Sequence, residues 1–508
     1  MKILLIAVNM KEFYTPLALL YLKAVLLKDR YLRKKVKVEI KEFSIYNTDD
    51  FILHEIQKYN PQIIGFSCYV WNINRILTLL YDIKKINRNV KVIMGGPQVS
   101  PISKILLKQN NQIDIIVKGE GEVIFLKLIK SLLHSGKGIN KISGIAYRHN
   151  GRIIDNPEGE IIADLDSIPS PYLSNALNLS DKEVCLETQR GCIFKCNFCY
   201  YNKGLDRLRF FSIERVKEDL SFLLRQKLRS IYLMDPVFNV NVDRAKEICK
   251  FIIKKNKNSV MFHTEIRAEL VDEEMAELFD KANIKYLEIG LQSSKDETLR
   301  LINRKLNIKN FVNGINLLKK YDLLTEIQLI VGLPGDTLRS FKKSLKFVLD
   351  IEPKVVRVAR LQVLPGTKIW CNAKKLGIIY EENPPYYFLK SSSFSFEDAI
   401  KTQKIINSLE LFGDRLIIKY LCKEGEIKLL DFINLWIQWC SDDSLLLNYT
   451  DTNTLISKVQ KFIKYFCRKN NIDFNFYNIL LQKEKGANFW IRKGKEQWEL
   501  LEKSYYGK

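Results

Sequence analysis

Residues 184–199 read VCLETQRGCIFKCNFC, an apolar, strand-like run that passes directly into three closely spaced cysteines. Cys192, Cys196 and Cys199 have the spacing Cys-x3-Cys-x2-Cys. Cubane iron–sulfur clusters take four thiolates, so a local set of three leaves one iron open to an outside ligand. Structural zinc sites usually need four protein ligands, and neither a histidine nor a second cysteine pair lies nearby. The stretch therefore predicts an iron–sulfur cluster. The alternatives are a zinc site, a site in which Cys185 is a further ligand, and three cysteines with a purely structural role.

This stretch begins a series of alternating strands and helices between residues 181 and 390. The strand-like runs are Val184–Thr188, Ser230–Met234, Met261–Ile266, Tyr286–Gly290, Glu326–Val331 and Val355–Leu364. Six strand–helix units in about 200 residues predict an incomplete TIM-type barrel, a partial (β/α)6 barrel. The cysteines follow its first strand, so we expect them at the end of the barrel where active-site loops gather. We also expect Ser212 to cap the helix that follows it. The apolar face of this helix should be buried, and it consists of Val216, Leu220, Leu223 and Leu224.

Residues 1–140 show a second alternating series. The predicted strands are Ile3–Val8, Val36–Ile40, Ile63–Ser67, Val90–Met94 and Ile113–Val117, with helices at Leu17–Leu27, Phe51–Lys58, Ile73–Lys85 and Ile102–Gln109. This alternation is typical of a parallel, doubly wound sheet of the Rossmann-like or flavodoxin-like kind. Small and polar residues follow the strands, where such sheets bind ligands. No Gly-x-Gly-x-x-Gly follows the first strand, which argues against a dinucleotide site.

Two further regions complete the α/β chain. Residues 141–180 predict a hairpin around Asn150-Gly151 and a proline-containing linker. Residues 391–508 predict a helical carboxyl-terminal domain without a readable site motif. We expect its tryptophans to be core residues rather than a substrate platform: Trp436, Trp439, Trp490 and Trp498.

Composition places the chain among ordinary globular proteins. Of its 508 residues, 46% are hydrophobic and 27% are charged, and its apolar runs are too short for a membrane span or a signal peptide. Ten unevenly placed cysteines do not form a secreted disulfide framework, so a cytoplasmic location is expected. The net charge of +23 is spread along the chain without an Arg-rich segment, which makes nucleic acid an unlikely partner and leaves an acidic electron-donor protein or an anionic substrate as alternatives.

The cysteine segment resembles the signature of the radical SAM (S-adenosylmethionine) superfamily, which has an aromatic residue before the last cysteine. Phe198 stands in that place. The resemblance implies a [4Fe–4S] cluster on Cys192, Cys196 and Cys199 that passes one electron to SAM and releases a 5′-deoxyadenosyl radical. It also implies that Phe198 lies against the adenine. The further SAM contacts that it suggests are Tyr200, Glu265, Arg267, Gly290 and Gln292, with a paired structural charge as the alternative for Arg267.

The amino-terminal region, followed by this barrel, resembles the cobalamin-binding domain of cobalamin-dependent radical SAM enzymes. The resemblance lies in residues 14–17, 65–72, 95–98 and 119–122, and it implies cofactor contacts from Thr15, Leu17, Ser67, Trp71, Gly95, Gly96, Gly119, Glu120 and Gly121. The nucleotide tail of cobalamin would run into the sheet, among the small residues near Gly95 and Gly119. Asn9–Leu19 contains no histidine, so no Asp-x-His-x-x-Gly motif supplies a lower cobalt ligand. The alternative is a sheet that has lost its ligand and only docks on the barrel.

Together these resemblances imply a cobalamin-dependent radical SAM methyltransferase that acts on an unactivated carbon of a small molecule or peptide. One SAM would methylate cobalamin and a second would yield the radical. The electron donor would be a flavodoxin or a ferredoxin, and no membrane partner is expected. The alternatives are a radical SAM enzyme that rearranges its substrate or modifies RNA or peptide, and a cobalamin carrier or sensor with a vestigial barrel.

Overall fold

The computed structural model describes residues 1–10, 14–174, 178–201, 207–413, 415–441, 443–447 and 452–475. It divides into two compact units. The first comprises residues 1–289, 302–323 and 361–388, and the second comprises residues 290–301, 324–360 and the chain from residue 389 onward. Among the helices described, none is both long and apolar enough to cross a bilayer.

A seven-stranded sheet forms the amino-terminal part of the first unit. Its strands are β1 (Lys2–Asn9), β2 (Lys37–Ser44), β3 (Ile63–Ser67), β4 (Lys91–Gly95), β5 (Ile115–Val117), β6 (Ile145–His149) and β7 (Arg152–Asp155). Their order is β2-β1-β3-β4-β5-β6-β7. The first five strands pair in parallel, as predicted. The predicted hairpin is β6–β7, and it continues this sheet through antiparallel pairing with β5.

Helices cover both faces of this sheet. They are α1 (Leu17–Lys28), α2 (Arg30–Lys35), α3 (Asp49–Tyr59), α4 (Ile73–Ile86), α5 (Ser103–Gln109) and α6 (Gly121–Leu133). One core lies under α3, α4 and α5 and the other under α1, α2 and α6. Ile3–Val8 of β1 are all buried, as expected for a central parallel strand that is covered on both faces. The short helix α2 was not predicted; Asp29 caps it through the amides of Tyr31 and Leu32.

The barrel region contains all six predicted strands. They are β8 (Glu183–Leu186), β11 (Ser230–Leu233), β12 (Met261–Ile266), β13 (Ile284–Gln292), β14 (Leu324–Val331) and β15 (Val355–Arg360). In the first unit β8, β11, β12 and β13 pair in parallel in that order. In the second unit β14 pairs in parallel with β15.

Two strands end before their apolar runs do. β8 stops at Leu186 because Thr188 turns away and donates to a buried carboxylate. β15 stops at Arg360 because Leu361 and Val363 bond instead to the backbone of Phe388 and Tyr386.

Shorter strands and further helices complete the barrel region. They are β9 (Gln189–Arg190), β10 (Arg209–Phe210), α7 (Ile213–Leu223), α8 (Val242–Lys255), α9 (Glu273–Lys281), α10 (Asp296–Leu301), α11 (Ile308–Lys320), α12 (Leu338–Ile351), α13 (Lys368–Asn372), β16 (Ile379–Tyr380) and β17 (Phe388–Lys390). Ser212 caps α7 by accepting from the Arg215 amide, and the predicted apolar face of this helix is buried. Both expectations are confirmed.

The carboxyl-terminal helices belong to the second unit. They are α14 (Phe396–Phe412), α15 (Leu416–Glu424), α16 (Leu429–Cys440), α17 (Asp443–Leu447) and α18 (Thr452–Lys469), which confirms a helical region. Trp436 is fully buried and packs edge-on against Phe412 and Phe462, so it is a core residue as predicted. Trp439 is half-buried beside it. Trp490 and Trp498 lie outside the described residues.

Candidate cofactor sites

A cavity of about 300 Å3 lies within the first unit, at the carboxyl ends of β3, β4 and β5. The amino-terminal residues predicted to bind cofactor that line it are Ser67, Gly95, Gly96, Gly119, Glu120 and Gly121. The cavity is also lined by Glu187, Gln189, Arg190 and Gly191, which lead into the cysteines. The sheet edge and the approach to the cysteine loop therefore share one cavity.

Two glycines of this cavity are required for different reasons. Gly96 has φ +114°, and a Cβ there would lie 2.6 Å from the Cys68 carbonyl oxygen, so neighbouring backbone leaves no space for a side chain. Gly119 has φ +72°, and a Cβ there would meet no atom within 4 Å. Because Gly119 lines the cavity, a side chain at this position would occupy ligand space. This turn can thus bring backbone directly against a bound molecule.

Three predicted contacts lie elsewhere. The Thr15 hydroxyl accepts a hydrogen bond from the Cys185 amide at 3.1 Å, so Thr15 ties the loop before α1 to β8. Leu17 is buried at the start of α1. Trp71 is 46% exposed and stacks on Tyr69. None of the three lines the cavity.

A buried ion-pair cluster joins the glycine turn to the segment before the cysteines. Arg190 donates to Glu122 at 2.6 Å, to Glu187 at 3.0 Å and to Glu120 at 3.3 Å. Arg209 binds both oxygens of Glu120, each at 2.9 Å. The Glu120 carboxylate, which we predicted to contact cofactor, is therefore engaged by two guanidinium groups.

One carboxylate oxygen of this cluster remains available. Glu122 Oε2 is buried and has no hydrogen-bond partner among the described residues. Burial also raises the pKa of Glu187 in the same cluster, although the positive charge of Arg190 acts to lower it. A buried acceptor beside a cavity calls for a donor from whatever fills that cavity, because an unpaired buried carboxylate oxygen is costly.

The base of the cysteine loop is closed by pairing and by a buried acid. β9 pairs antiparallel with β10, which brings Arg190 opposite Arg209. Between them, Gly191 has φ +88°, and a Cβ there would lie 2.7 Å from the Arg207 carbonyl oxygen. The Asp235 carboxylate accepts from the Thr188 amide and hydroxyl and from the Gln189 amide.

The three cysteines differ in exposure. Cys196 is buried, whereas Cys192 and Cys199 are half-buried. Burial raises the pKa of Cys192 and raises that of Cys199 to about 12. The Arg304 guanidinium donates to Cys196 Sγ at 3.8 Å, so a positive charge faces this sulfur. Within the described residues no three potential ligands converge on a single ion position; a cubane does not require such convergence, since each cysteine binds a different iron.

Residues far away in sequence hold the loop from outside. The Asn197 amide donates to the Ile302 carbonyl at 2.9 Å, and the Ile369 amide donates to the Asn197 carbonyl at 3.0 Å. Asn303 Nδ2 donates to the Lys195 carbonyl at 2.8 Å. Sequence reasoning missed Ile302, Asn303, Arg304 and Ile369, because contacts between residues more than 100 positions apart leave no local pattern.

The predicted SAM contacts on the strands have different surroundings. Glu265 accepts from the Tyr232 hydroxyl at 3.0 Å. The Arg267 guanidinium pairs with Glu269, donates to the Lys305 carbonyl at 2.7 Å and lies 4.5 Å from the Phe194 ring centroid. Arg267 therefore reaches the cysteine loop through Phe194 while it forms a structural ion pair.

The remaining predicted contacts lie in two places. Phe198 and Tyr200 are half-buried on the cysteine loop. Gly290 and Gln292 lie at the end of β13, in the second unit. Gln292 has φ +73°, and its buried Oε1 has no partner among the described residues.

Two sequence profiles match the chain. The profile of the B12 binding domain matches residues 3–129, and the profile of the radical SAM superfamily matches residues 186–348. Taken with the parallel sheet, the barrel strands and the three-cysteine loop, they define the class: the chain is a radical SAM enzyme with a cobalamin-binding domain. The predicted family and the predicted fold class are both confirmed.

Relatives agree with this assignment. An uncharacterized methyltransferase of Pyrococcus horikoshii, PH0819, is 28% identical over 62% of this chain and 70% of the relative. The cobalamin-dependent radical SAM methyltransferase TokK of Streptomyces tokunonensis is 25% identical over 61% of this chain and 48% of its own length. The chain thus spans about half of TokK. The solved structure of the cobalamin-dependent SAM radical enzyme OxsB, with aqua-cobalamin and SAM bound, shares the fold with a TM-score of 0.65 at 16% identity, covering 100% of this chain and 83% of OxsB.

The cofactors of this class are a [4Fe–4S] cluster, SAM and cobalamin. The residues fit them. Three thiols stand on one loop with Arg304 against one sulfur, and a glycine-edged cavity contains an unpartnered buried carboxylate oxygen.

Proposed function

We propose that this enzyme methylates an unactivated carbon of a small molecule or peptide by a cobalamin-dependent radical reaction. The observation that supports it most is the Arg190 cluster, which connects the residue two positions before Cys192 with Glu120 and Glu122 of the glycine turn. The two cofactor sites are therefore joined by one set of buried charges. Reductive cleavage of SAM at the cluster would supply a 5′-deoxyadenosyl radical, and cobalamin would supply the methyl group that the substrate radical takes.

Each cofactor has its own proposed residues. Cys192, Cys196 and Cys199 ligate the cluster, and Phe198, Tyr200, Glu265, Arg267, Gly290 and Gln292 contact SAM. Ser67, Gly95, Gly96, Gly119 and Gly121 contact cobalamin through backbone and small side chains. Thr15, Leu17 and Trp71 are left out of this set because they do not line the cavity.

Glu122 has a specific role in this proposal. Its buried Oε2 would accept an N–H from bound cobalamin, while its Oε1 stays on Arg190. Glu120 acts differently: its two oxygens bind Arg209 and hold the turn in place. Glu120 is a positioning residue.

SAM consumption tests the activity. The anaerobically reconstituted protein is incubated with methyl-labelled SAM, reductant and cell extract. One 5′-deoxyadenosine and one S-adenosylhomocysteine are expected per labelled product, because one SAM yields the radical and the other yields the methyl group. Label in the product without 5′-deoxyadenosine would contradict a radical route. 5′-Deoxyadenosine without transferred label would favour a non-methylating rearrangement.

Two cysteine variants separate an enzyme from a cobalamin carrier. Cys192→Ala should lose cluster absorbance and SAM cleavage while it keeps bound cobalamin. Cys371→Ala is the matched control, since Cys371 is exposed on α13 outside the loop. Retained cleavage in Cys192→Ala would overturn the cluster assignment.

A further inference from the structure

The surface outside the cysteine loop is built from three segments that contain no acidic residue. They are residues 191–201, 302–321 and 366–380. The backbone bonds of Ile302 and Ile369 to Asn197, together with the Asn303 bond to Lys195, hold the second and third segments against the first. All three belong to the first unit, so the basic residues of the second and third segments stand beside the cysteine loop.

Five exposed lysines, here called the lysine face, stand on the second and third segments: Lys305, Lys309, Lys368, Lys374 and Lys375. None forms an ion pair or a side-chain hydrogen bond with another residue in the described part of the chain. Some lysines elsewhere are paired instead; Lys246 and Lys250, for example, share Glu274. The lysine face therefore carries positive charge that the protein itself does not neutralise.

An apolar tip and a redox site complete this surface. Ile193 is 55% exposed between the first two cysteines, and Cys192 and Cys199 are only half-buried. A protein seated on the lysine face would contact this apolar tip and stand over the proposed cluster. Weak, short-lived redox complexes use small interfaces of this kind, in which charge steers association.

We propose that the lysine face docks an acidic protein that carries a one-electron redox group and reduces the cluster. The inference rests on the proposed function, because only a cluster on Cys192, Cys196 and Cys199 gives the electron a destination. The donor is oxidised by one electron and the cluster is reduced by one; no bond is made or broken in the complex. A flavodoxin has the chemistry required of this partner.

The type of basic residue favours a protein over a nucleic acid. Every exposed charged residue of these three segments is a lysine. The compact ammonium group of lysine stays strongly hydrated, whereas Arg is the preferred residue for bidentate phosphate recognition. The one arginine among these segments' described residues, Arg304, is directed at Cys196 Sγ instead.

The test compares two triple charge reversals. Lys309→Glu/Lys368→Glu/Lys375→Glu changes the lysine face at positions whose side chains make no internal contact. Lys34→Glu/Lys108→Glu/Lys141→Glu makes the same change in net charge on α2, α5 and the turn after α6. Formation of 5′-deoxyadenosine is followed with reduced flavodoxin or with dithionite, and flavodoxin binding is titrated separately.

The flavodoxin-driven rate of the lysine-face variant should fall about tenfold or more at low salt, since surface charge complementarity sets association rates. Its dithionite-driven rate and the control variant should stay within about twofold of wild type, as expected when remote charges are screened. Equal losses in both variants, or no loss in either, would overturn the docking site.

The flavodoxin titration tests the docking proposal independently of the proposed function. If dithionite drives no SAM cleavage in wild type, the proposed function fails, and the titration still decides docking. Flavodoxin should bind wild type with an affinity that falls as salt rises, and the lysine-face variant should lose this binding. If the same substitutions abolish tRNA binding and leave flavodoxin binding unchanged, the face binds nucleic acid and the proposal is wrong.

Discussion

The glycine turns and the cysteine loop both follow the ends of parallel strands, yet they are stabilised differently. The turn at Gly119 leaves its cavity side open, and Arg209 holds it by binding both oxygens of Glu120. The cysteine loop is fixed by Asp235 at its base and by Ile302, Asn303 and Ile369 outside. The comparison shows that both regions need distant partners: the glycine turn is held by ion pairs to its side chains, whereas the cysteine loop is held mainly by hydrogen bonds to its backbone.

The largest effect is expected at the junction of these two regions. Arg190→Met leaves Glu122 and Glu187 without their guanidinium partner. Breaking a buried ion pair costs about 3–5 kcal/mol, so the thermal unfolding midpoint should fall by several degrees. Arg190→Met/Glu122→Gln should recover part of the loss, because it removes one of the orphaned charges. A midpoint for Arg190→Met within one degree of wild type would show that the two regions are not joined through this cluster.

Asp235 tests the base of the loop through pH. Burial raises its pKa from the ordinary 3.8 to about 7, against the lowering effect of hydrogen bonds from Thr188 and Gln189. Between these two values the native state holds a proton that the unfolded chain has released. The stabilisation from this group is therefore complete below pH 4 and is lost as the pH rises towards 7.

Asp235→Asn removes that dependence. Between pH 4.5 and pH 7.5 the stability of the variant relative to wild type, followed through the thermal midpoint, should rise. The gain in free energy of unfolding is up to about 4 kcal/mol, because the pKa of Asp235 differs by roughly three between the native and unfolded states. A constant difference across this range would show that Asp235 is ionised throughout.

On the glycine side, Gly119→Val should reduce retained cobalamin about tenfold or more, equivalent to about 1.4 kcal/mol. The side chain would enter the cavity at φ +72°. Gly151→Val is the matched control: its φ is +76°, it also has open space for a Cβ, and it lies in the β6–β7 turn. Cobalamin absorbance after gel filtration measures retention. Equal losses in both variants would assign the effect to backbone strain alone.

The smallest effect is expected at the outer support of the loop. Asn303→Ala removes one hydrogen bond to the Lys195 carbonyl, worth about 1 kcal/mol. Iron release to a chelator should accelerate up to about fivefold. Asn310→Ala, on the exposed start of α11, is the control. An unchanged release rate would show that Ile302 and Ile369 suffice.

Sequence predicted what local patterns determine. The buried run Ile3–Val8, the Ser212 cap and the cysteine spacing each act over a few residues, and the corresponding strand, helix start and loop lie where predicted. The cofactor roles predicted for Thr15 and Trp71 did not include the contacts that these two residues make. Thr15 hydrogen-bonds to β8, and Trp71 stacks on Tyr69 at the surface; both depend on where the chain turns in three dimensions.

The partners of the charged residues could not be predicted from the sequence either. Glu120 was expected to contact cofactor, but Arg209, 89 residues later, binds both its oxygens. Asp235 directly follows the predicted strand Ser230–Met234, and its hydrogen bond with Thr188 spans 47 residues. Sequence alone places neither partner, because the pairing exists only after the sheet and the barrel have formed.

The outermost strand of the amino-terminal sheet has a consequence for storage and expression. Among the strands that the structure describes, β2 pairs only with β1, so one of its backbone edges could template a foreign strand. Lys37, Glu39, Lys41 and Glu42 along this edge make such an addition unfavourable, since charged side chains on edge strands oppose intermolecular pairing. Neutralising them to make a smoother surface would expose the protein to aggregation even though no cofactor contact changed.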